Sequence, residues 1–126
     1  MHAVTAALLV GAGGFAGALA RWGLGTAIKT GLGESHNHFP YPTFAINLLG
    51  CLAIGIAYGL WEANTTLRLL LVVGFLGGFT TFSAFGLETL SLIRSGAVAN
   101  AALYVGLSTG LGVLLVWMWL KVTGGS

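Results

Sequence analysis

Charged residues divide this chain into four long uncharged stretches: Ala3–Ala20, Phe39–Trp61, Leu69–Leu87 and Ser95–Leu120. An α-helix needs about 20 mostly apolar residues to cross the hydrocarbon of a bilayer. The stretches therefore read as four transmembrane helices, over about residues 3–27, 42–62, 67–93 and 96–121. Only 6% of the 126 residues are charged and 56% are hydrophobic, whereas soluble domains carry about 25% charged residues. So little charge cannot coat a water-facing surface. The chain reads as a single integral membrane domain spanning residues 1–126, all-α in class. The first stretch lacks a basic leader and is longer than a usual signal core, so it reads as a span and not as a signal peptide. A small, scattered net charge of +2 gives no nucleic-acid footprint. Cys51 is the single cysteine, so no internal disulfide forms, and a small apolar filler is its plain role.

The connections are short, apart from a polar loop over Thr30–Pro42. Ala63–Thr66 and Arg94–Gly96 are tight turns. Four spans put both termini on one face, with Arg68 and Lys121; Lys29, Arg94 and Arg21 fall on the other. Two basic residues against three is too even for the positive-inside rule to set one orientation. Insertion both ways up, and with it an antiparallel homodimer, becomes an expectation beside the plainer one of a single orientation. Gly13 and Gly17, then Gly55 and Gly59, give two G-x-x-x-G pairs for close helix approach. Gly106, Gly110 and Gly112 line the fourth span. Gly11–Ala16 also satisfies a loose dinucleotide fingerprint, but no strand precedes it, so helix packing is the better reading.

Three groups of polar residues resist explanation as apolar filler. Asn47 stands near the start of the second span with Thr43 one turn before it. An amide in lipid must pair within the bundle or face a cavity, and its two N–H donors can face an anion without a positive charge. The segment GFLGGFTTFSAF, residues 74–85, interrupts the third span. Gly77-Gly78 weakens the helix there, and freed carbonyls at membrane depth are tolerated only where protein or a cavity takes them. They suit a small cation such as sodium; a kink capped by the threonine hydroxyls is the plainer alternative. Phe82 and Phe85 share a helical face beside Ser83 and Glu88, and aromatic ring edges carry positive potential. On the fourth span Asn100, Tyr104 and Ser108 recur every four residues, with Thr109 adjacent. That spacing stacks them on one face, as interhelical contacts or as one wall of a polar track. His36 and His38 in the first loop are a weak metal signal, more in keeping with solvated loop residues.

Taken together, GFLGGFTTFSAF, the upstream PTFAINLLG and the early GGFAGALARW resemble the Fluc/CrcB family of fluoride channels, over essentially the whole chain. The resemblance implies an antiparallel, dual-topology homodimer with two fluoride pathways. It implies a structural sodium ion at the dimer interface, held by the backbone carbonyls of Gly77 and Thr80 from both subunits. It assigns Phe82 and Phe85 to the pore, with Asn47 and its associated hydroxyl Thr43, a polar track at Tyr104 and Ser108 with Glu88 nearby, and Arg21 at a vestibule. Gly112 and Ala84 stand where some family members have hydroxyls, and Thr109 is placed to replace one of them.

The function so implied is passive, fluoride-selective export across the bacterial inner membrane. Asn47 and the hydroxyls of Thr43, Ser83, Tyr104 and Ser108 would replace the ion's water, and no lysine in the core would trap it. The alternative is a proton-coupled exporter of the small multidrug type, with Glu88 as its membrane acid. A non-transporting assembly subunit is a third class. An enzyme is disfavoured, because no acid–base pair, partnered nucleophile or metal cluster is present.

Overall fold

The computed structural model describes residues 1–32 and 39–124. Among them the regular structure is entirely helical: α1 (Ala3–Leu32), α2 (Tyr41–Trp61), α3 (Thr65–Leu67), a π-helical stretch (Arg68–Leu76), α4 (Gly77–Phe79), α5 (Phe82–Arg94) and α6 (Val98–Val122). α3 through α5 together make one span, Thr65–Arg94, and the described residues contain four helices long and apolar enough to cross a membrane. His36 and His38 lie outside the described residues.

Local chemistry sets the ends of these elements. α2 opens with proline in its first turn, where the missing N–H has no intrahelical partner to lose. Asn64 caps α3, its Oδ1 accepting from the Leu67 amide at 3.0 Å. Gly96 turns the chain from α5 into α6 with φ 86°, a left-handed conformation that a side chain disfavours.

The third span is broken, but not at the glycine pair that sequence reasoning favours. Gly77 and Gly78 stay helical, and the chain leaves the helix at Thr80 (φ −85°, ψ 158°) and Thr81 (φ −146°, ψ 115°). Threonine is stiff at Cβ and favours extended backbone. Here the Thr80 hydroxyl donates back to the Leu76 carbonyl at 3.1 Å, while Thr81 accepts from the Ala84 amide at 3.3 Å to start α5. Gly78 has a packing role instead: a Cβ there would stand 2.6 Å from the Gly14 carbonyl oxygen of α1.

Glycine also sets how the helices meet. α1 packs along the π-helical stretch and α4, and α2 along α6. A Cβ at Gly13 would overlap the Leu70 carbonyl, and one at Gly17 the Phe75 carbonyl. From the other side, a Cβ at Gly74 would lie 2.8 Å from the Val10 carbonyl oxygen. Two four-residue glycine pairs, Gly13/Gly17 and Gly74/Gly78, therefore interlock backbone to backbone, as small residues allow in membranes. On the other helix pair a Cβ at Gly55 would lie 3.1 Å from the Val116 carbonyl oxygen of α6, and one at Gly59 would overlap the side chain of Thr123 just past the end of α6. On α6 itself a Cβ at Gly112 would lie 3.1 Å from Cys51 Sγ, whereas one at Gly106 or Gly110 would meet nothing within 4 Å among the described residues.

Tyr104 has no exposed surface and anchors a cluster with Leu92 and Ala101. Its ring meets those of Phe39 at 5.5 Å and Phe85 at 5.0 Å between centroids.

The interlock predicts that Gly17→Val lowers the thermal midpoint of the protein in detergent. Overpacking costs about 1–3 kcal/mol or more, and the atom in the way is backbone. Gly11→Ala, with nothing within 4 Å, should hold or raise the midpoint, since alanine is the better helix former by about 1 kcal/mol. Equal midpoints for the two variants would show that the α1 contact is loose.

Candidate functional site: an interrupted helix between two cavities

A helix that stops in mid-span leaves its last carbonyls without intrahelical donors. At this break most of the replacement partners are side chains from other helices. From α2, Asn47 pairs with Thr81 in both directions. Its Oδ1 accepts from the Thr81 amide at 2.9 Å, and its Nδ2 donates to the Thr81 carbonyl at 3.1 Å. From α1, Arg21 Nε donates to the Gly78 carbonyl at 3.1 Å. The Leu76 carbonyl accepts from both the amide and the hydroxyl of Thr80. Among the described residues no donor reaches the carbonyls of Gly77 or Thr80.

Two cavities flank the break. A vestibule of about 800 Å³ opens between α1, the start of α2 and α5; Arg21, Lys29, Thr43 and Glu88 lie on its walls. A groove of about 580 Å³ runs between α2, the broken span and α6; Asn47, Gly77, Phe82, Phe85 and Ser108 line it. Thr81 lines both. The Asn47–Thr81 pair therefore stands on the partition between vestibule and groove.

The residues singled out in the sequence fall on these two sides. Asn47, Phe82, Phe85, Ser108 and the backbone of Gly77 and Thr80 share the groove, with Thr109 beside them. Thr43, 8% exposed, shares the vestibule with Glu88 and Arg21. Tyr104 links the two sets: its hydroxyl donates to Glu88 Oε1 at 3.4 Å, and its ring lies against Phe85. Phe82 and Phe85 are 5.8 Å apart between centroids, yet Phe82 is 84% exposed. The Ser108 hydroxyl is buried with no hydrogen-bond partner among the described residues. Ser83 is exposed at the start of α5, its hydroxyl 3.4 Å from that of Thr81. Asn100 lines neither cavity.

Two features escape a reading of the sequence. Asn47 does not present both N–H donors to the groove: its oxygen and one N–H are committed to Thr81, which leaves one N–H. Arg21, on the vestibule wall, is also tied to backbone, its Nε donating to the Gly78 carbonyl 57 residues downstream. Neither pairing has a local sequence signature. The Thr81 cap does have one, since threonine just before a helical segment is an N-cap signal.

The chemistry on offer is of three kinds. The groove has neutral donors and ring edges, and among the described residues no charged side chain lines it. The break has carbonyl oxygens without donors. The described residues contain no group of three His, Cys, Asp or Glu side chains placed to hold a metal. Hard oxygen ligands of the carbonyl kind suit a cation of group 1 or 2 instead.

The family model described as CrcB-like protein, camphor resistance, matches residues 8–120. The chain is 45% identical over 120 residues to the fluoride-specific ion channel FluC of Pseudomonas fluorescens, an alignment covering 92% of this chain and 94% of that protein. The protein of the same name from Acidobacterium capsulatum is 44% identical over 119 residues, covering 91% of this chain and 93% of that one. That of Methylobacillus flagellatus is 45% identical over 120 residues, covering 91% of each.

The double bond to Thr81 predicts a specific failure for Asn47→Asp. A carboxylate still accepts from the Thr81 amide but turns an acceptor toward the Thr81 carbonyl. Stability should fall by about 1–3 kcal/mol, the range for a buried polar group left unpaired. Thermal unfolding in detergent reads this loss, and an unchanged midpoint would mean that the pair does not hold the break.

Proposed function

This chain belongs to the CrcB-like family, and from that premise we propose that it is a fluoride-selective channel through which fluoride leaves the cytoplasm passively. It is an integral, multi-pass membrane protein. The observation that carries the reading is similarity of about 45% identity over nine-tenths of the chain to proteins named as fluoride-specific channels. Those relatives carry the name of a channel, and nothing in them supports the proton-coupled alternative.

Fluoride is small and strongly hydrated, so a pore must replace its water with good donors. In our reading the ion enters through the vestibule, past Arg21 and the Thr43 and Glu88 wall, and crosses beside Thr81. The remaining Asn47 N–H meets it on the groove side. Phe82 and Phe85 turn ring edges toward it at the narrow point. The hydroxyls of Ser83, Tyr104 and Ser108 supply further donors; the buried, unpaired Ser108 hydroxyl is well suited to this. Neutral donors bind the ion without trapping it. No covalent step is involved, so the protein is not an enzyme.

We further propose that two copies assemble antiparallel in the bacterial inner membrane, with their grooves facing each other. Three observations support this. The donor-free carbonyls of Gly77 and Thr80 on the groove are costly to leave in lipid. The Lys and Arg balance is nearly even, with Arg68 and Lys121 on one face against Lys29, Arg94 and Arg21 on the other, so charge gives neither orientation a clear advantage. The open α6 face at Gly106 and Gly110 leaves room for a close partner.

A sodium ion at that interface is the proposed cofactor. The donor-free carbonyls of Gly77 and Thr80 fit it chemically: they are hard oxygen ligands, and each subunit contributes the same pair. When bound, sodium would supply fixed positive charge and cross-link the two broken helices. The chain's own part is to hold those oxygens in place and free of other donors.

Purified protein in liposomes, followed with a fluoride electrode, should release fluoride far faster than chloride. Phe82→Ile and Phe85→Ile should each cut fluoride efflux by about tenfold or more, the effect of losing roughly 1.4 kcal/mol of ion stabilisation, while the dimer persists on size exclusion. Wild-type flux from both variants would remove the rings from the pathway. Replacing sodium by N-methylglucamine throughout purification and assay should weaken dimerisation and flux together; a fully active sodium-free dimer would exclude the structural cation.

A further inference from the structure

We infer that Arg21 is a positioning residue for the helix break, and that its working group is the Nε–H donor and not its positive charge. Nε sits on the Gly78 carbonyl at 3.1 Å. That carbonyl belongs to α4, whose last turn exposes acceptors to the membrane interior. Successive carbonyls fan around a helix axis by about 100° per residue, so fixing the Gly78 peptide fixes the direction of the Gly77 carbonyl beside it. Gly78 is also the point where α4 touches the α1 backbone at Gly14. Arg21 therefore ties the break to the same helix that the glycine interlock has already brought close.

The two cavities make the consequence definite. Arg21 stands on the vestibule wall, and Gly77 and Thr80 line the groove. One carbonyl of the break is thus bound on the vestibule side while its neighbours remain free on the groove side. With Asn47 holding Thr81 from α2, two side chains from two helices fix the stretch that aims Phe82 and Phe85.

Side-chain lengths give a clean test. In lysine the atom at the Nε position is a methylene, and the ammonium lies one bond further out. Arg21→Lys keeps the charge and removes the donor at that position. In glutamine Nε2 is as many bonds from Cα as arginine Nε. Arg21→Gln removes the charge and keeps a donor at that reach. We expect Arg21→Lys to lose fluoride efflux by about tenfold or more, the scale of one lost part-buried hydrogen bond to a charged donor, and Arg21→Gln to retain several times more efflux than Arg21→Lys.

A second measurement does not depend on transport. Hydrogen exchange in nanodiscs should quicken at the Thr80 and Thr81 amides in Arg21→Lys and remain at the wild-type rate in Arg21→Gln. The inference rests on the fluoride reading for the flux assay alone. A wild-type protein that fails to move fluoride would count against that reading, and the exchange rates would still decide the role of Arg21. The reverse ranking, with lysine active and glutamine inactive, would overturn the inference. So would equal behaviour of the two variants in exchange.

Discussion

Backbone polar groups cannot be left unpaired in hydrocarbon, and the structure is organised around one place where the helix itself cannot pair them. A continuous third span would satisfy its own ladder and need nothing from its neighbours. Once Thr80 and Thr81 leave the helix, the last carbonyls of α4 and both backbone groups of Thr81 need partners from elsewhere. Asn47 and Arg21 meet part of that need from α2 and α1. Neither long polar side chain is an isolated intrusion into an apolar bundle, because each is paired to backbone that the break sets free.

The glycine interlock makes this pairing geometrically attainable. Arg21 reaches Gly78 because Gly13, Gly14 and Gly17 allow α1 to lie against the backbone of the π-helical stretch and α4. A π-helical run of nine residues is unusual, since such turns are mostly single and cluster at functional sites. Here it leads directly into the break. Gly13 and Gly17 of α1 lie against its backbone, at Leu70 and Phe75. The packing of one helix pair and the hydrogen bonding of the break are therefore one problem with one solution.

The sequence shows this architecture unevenly. Four spans follow from where charges occur, because burying charge in lipid is costly enough to leave an unmistakable pattern. The interruption of the third span is legible too, but its position is shifted by a few residues. Glycine pairs read as weak helix, yet Gly77 and Gly78 remain helical, and tertiary contact with α1 explains why they are there. The groove residues can be chosen one by one as polar groups in an apolar setting. Their division between groove and vestibule cannot, since it depends on which face of each helix turns toward which neighbour. The pairings of Asn47 with Thr81 and of Arg21 with Gly78 span 34 and 57 residues. No local spacing rule reaches that far.

The separation of charge from the groove bears on how an anion could pass quickly. Two unit charges 4 Å apart attract by about 4 kcal/mol at an effective dielectric of 20. A cationic side chain at the neck would therefore lengthen residence by roughly a thousandfold. Arg21, Lys29 and Glu88 stand on the vestibule walls, while the groove offers an amide N–H, hydroxyls and ring edges. Each of these interacts with an anion weakly enough to release it, and several in succession can replace a hydration shell. The break makes the same division within the backbone: Gly78 is tied back on the vestibule side, and Gly77 and Thr80 are left open on the groove side. On the proposed reading, keeping charged side chains on the vestibule walls and neutral donors in the groove lets a small anion be drawn in at one end and released at the other.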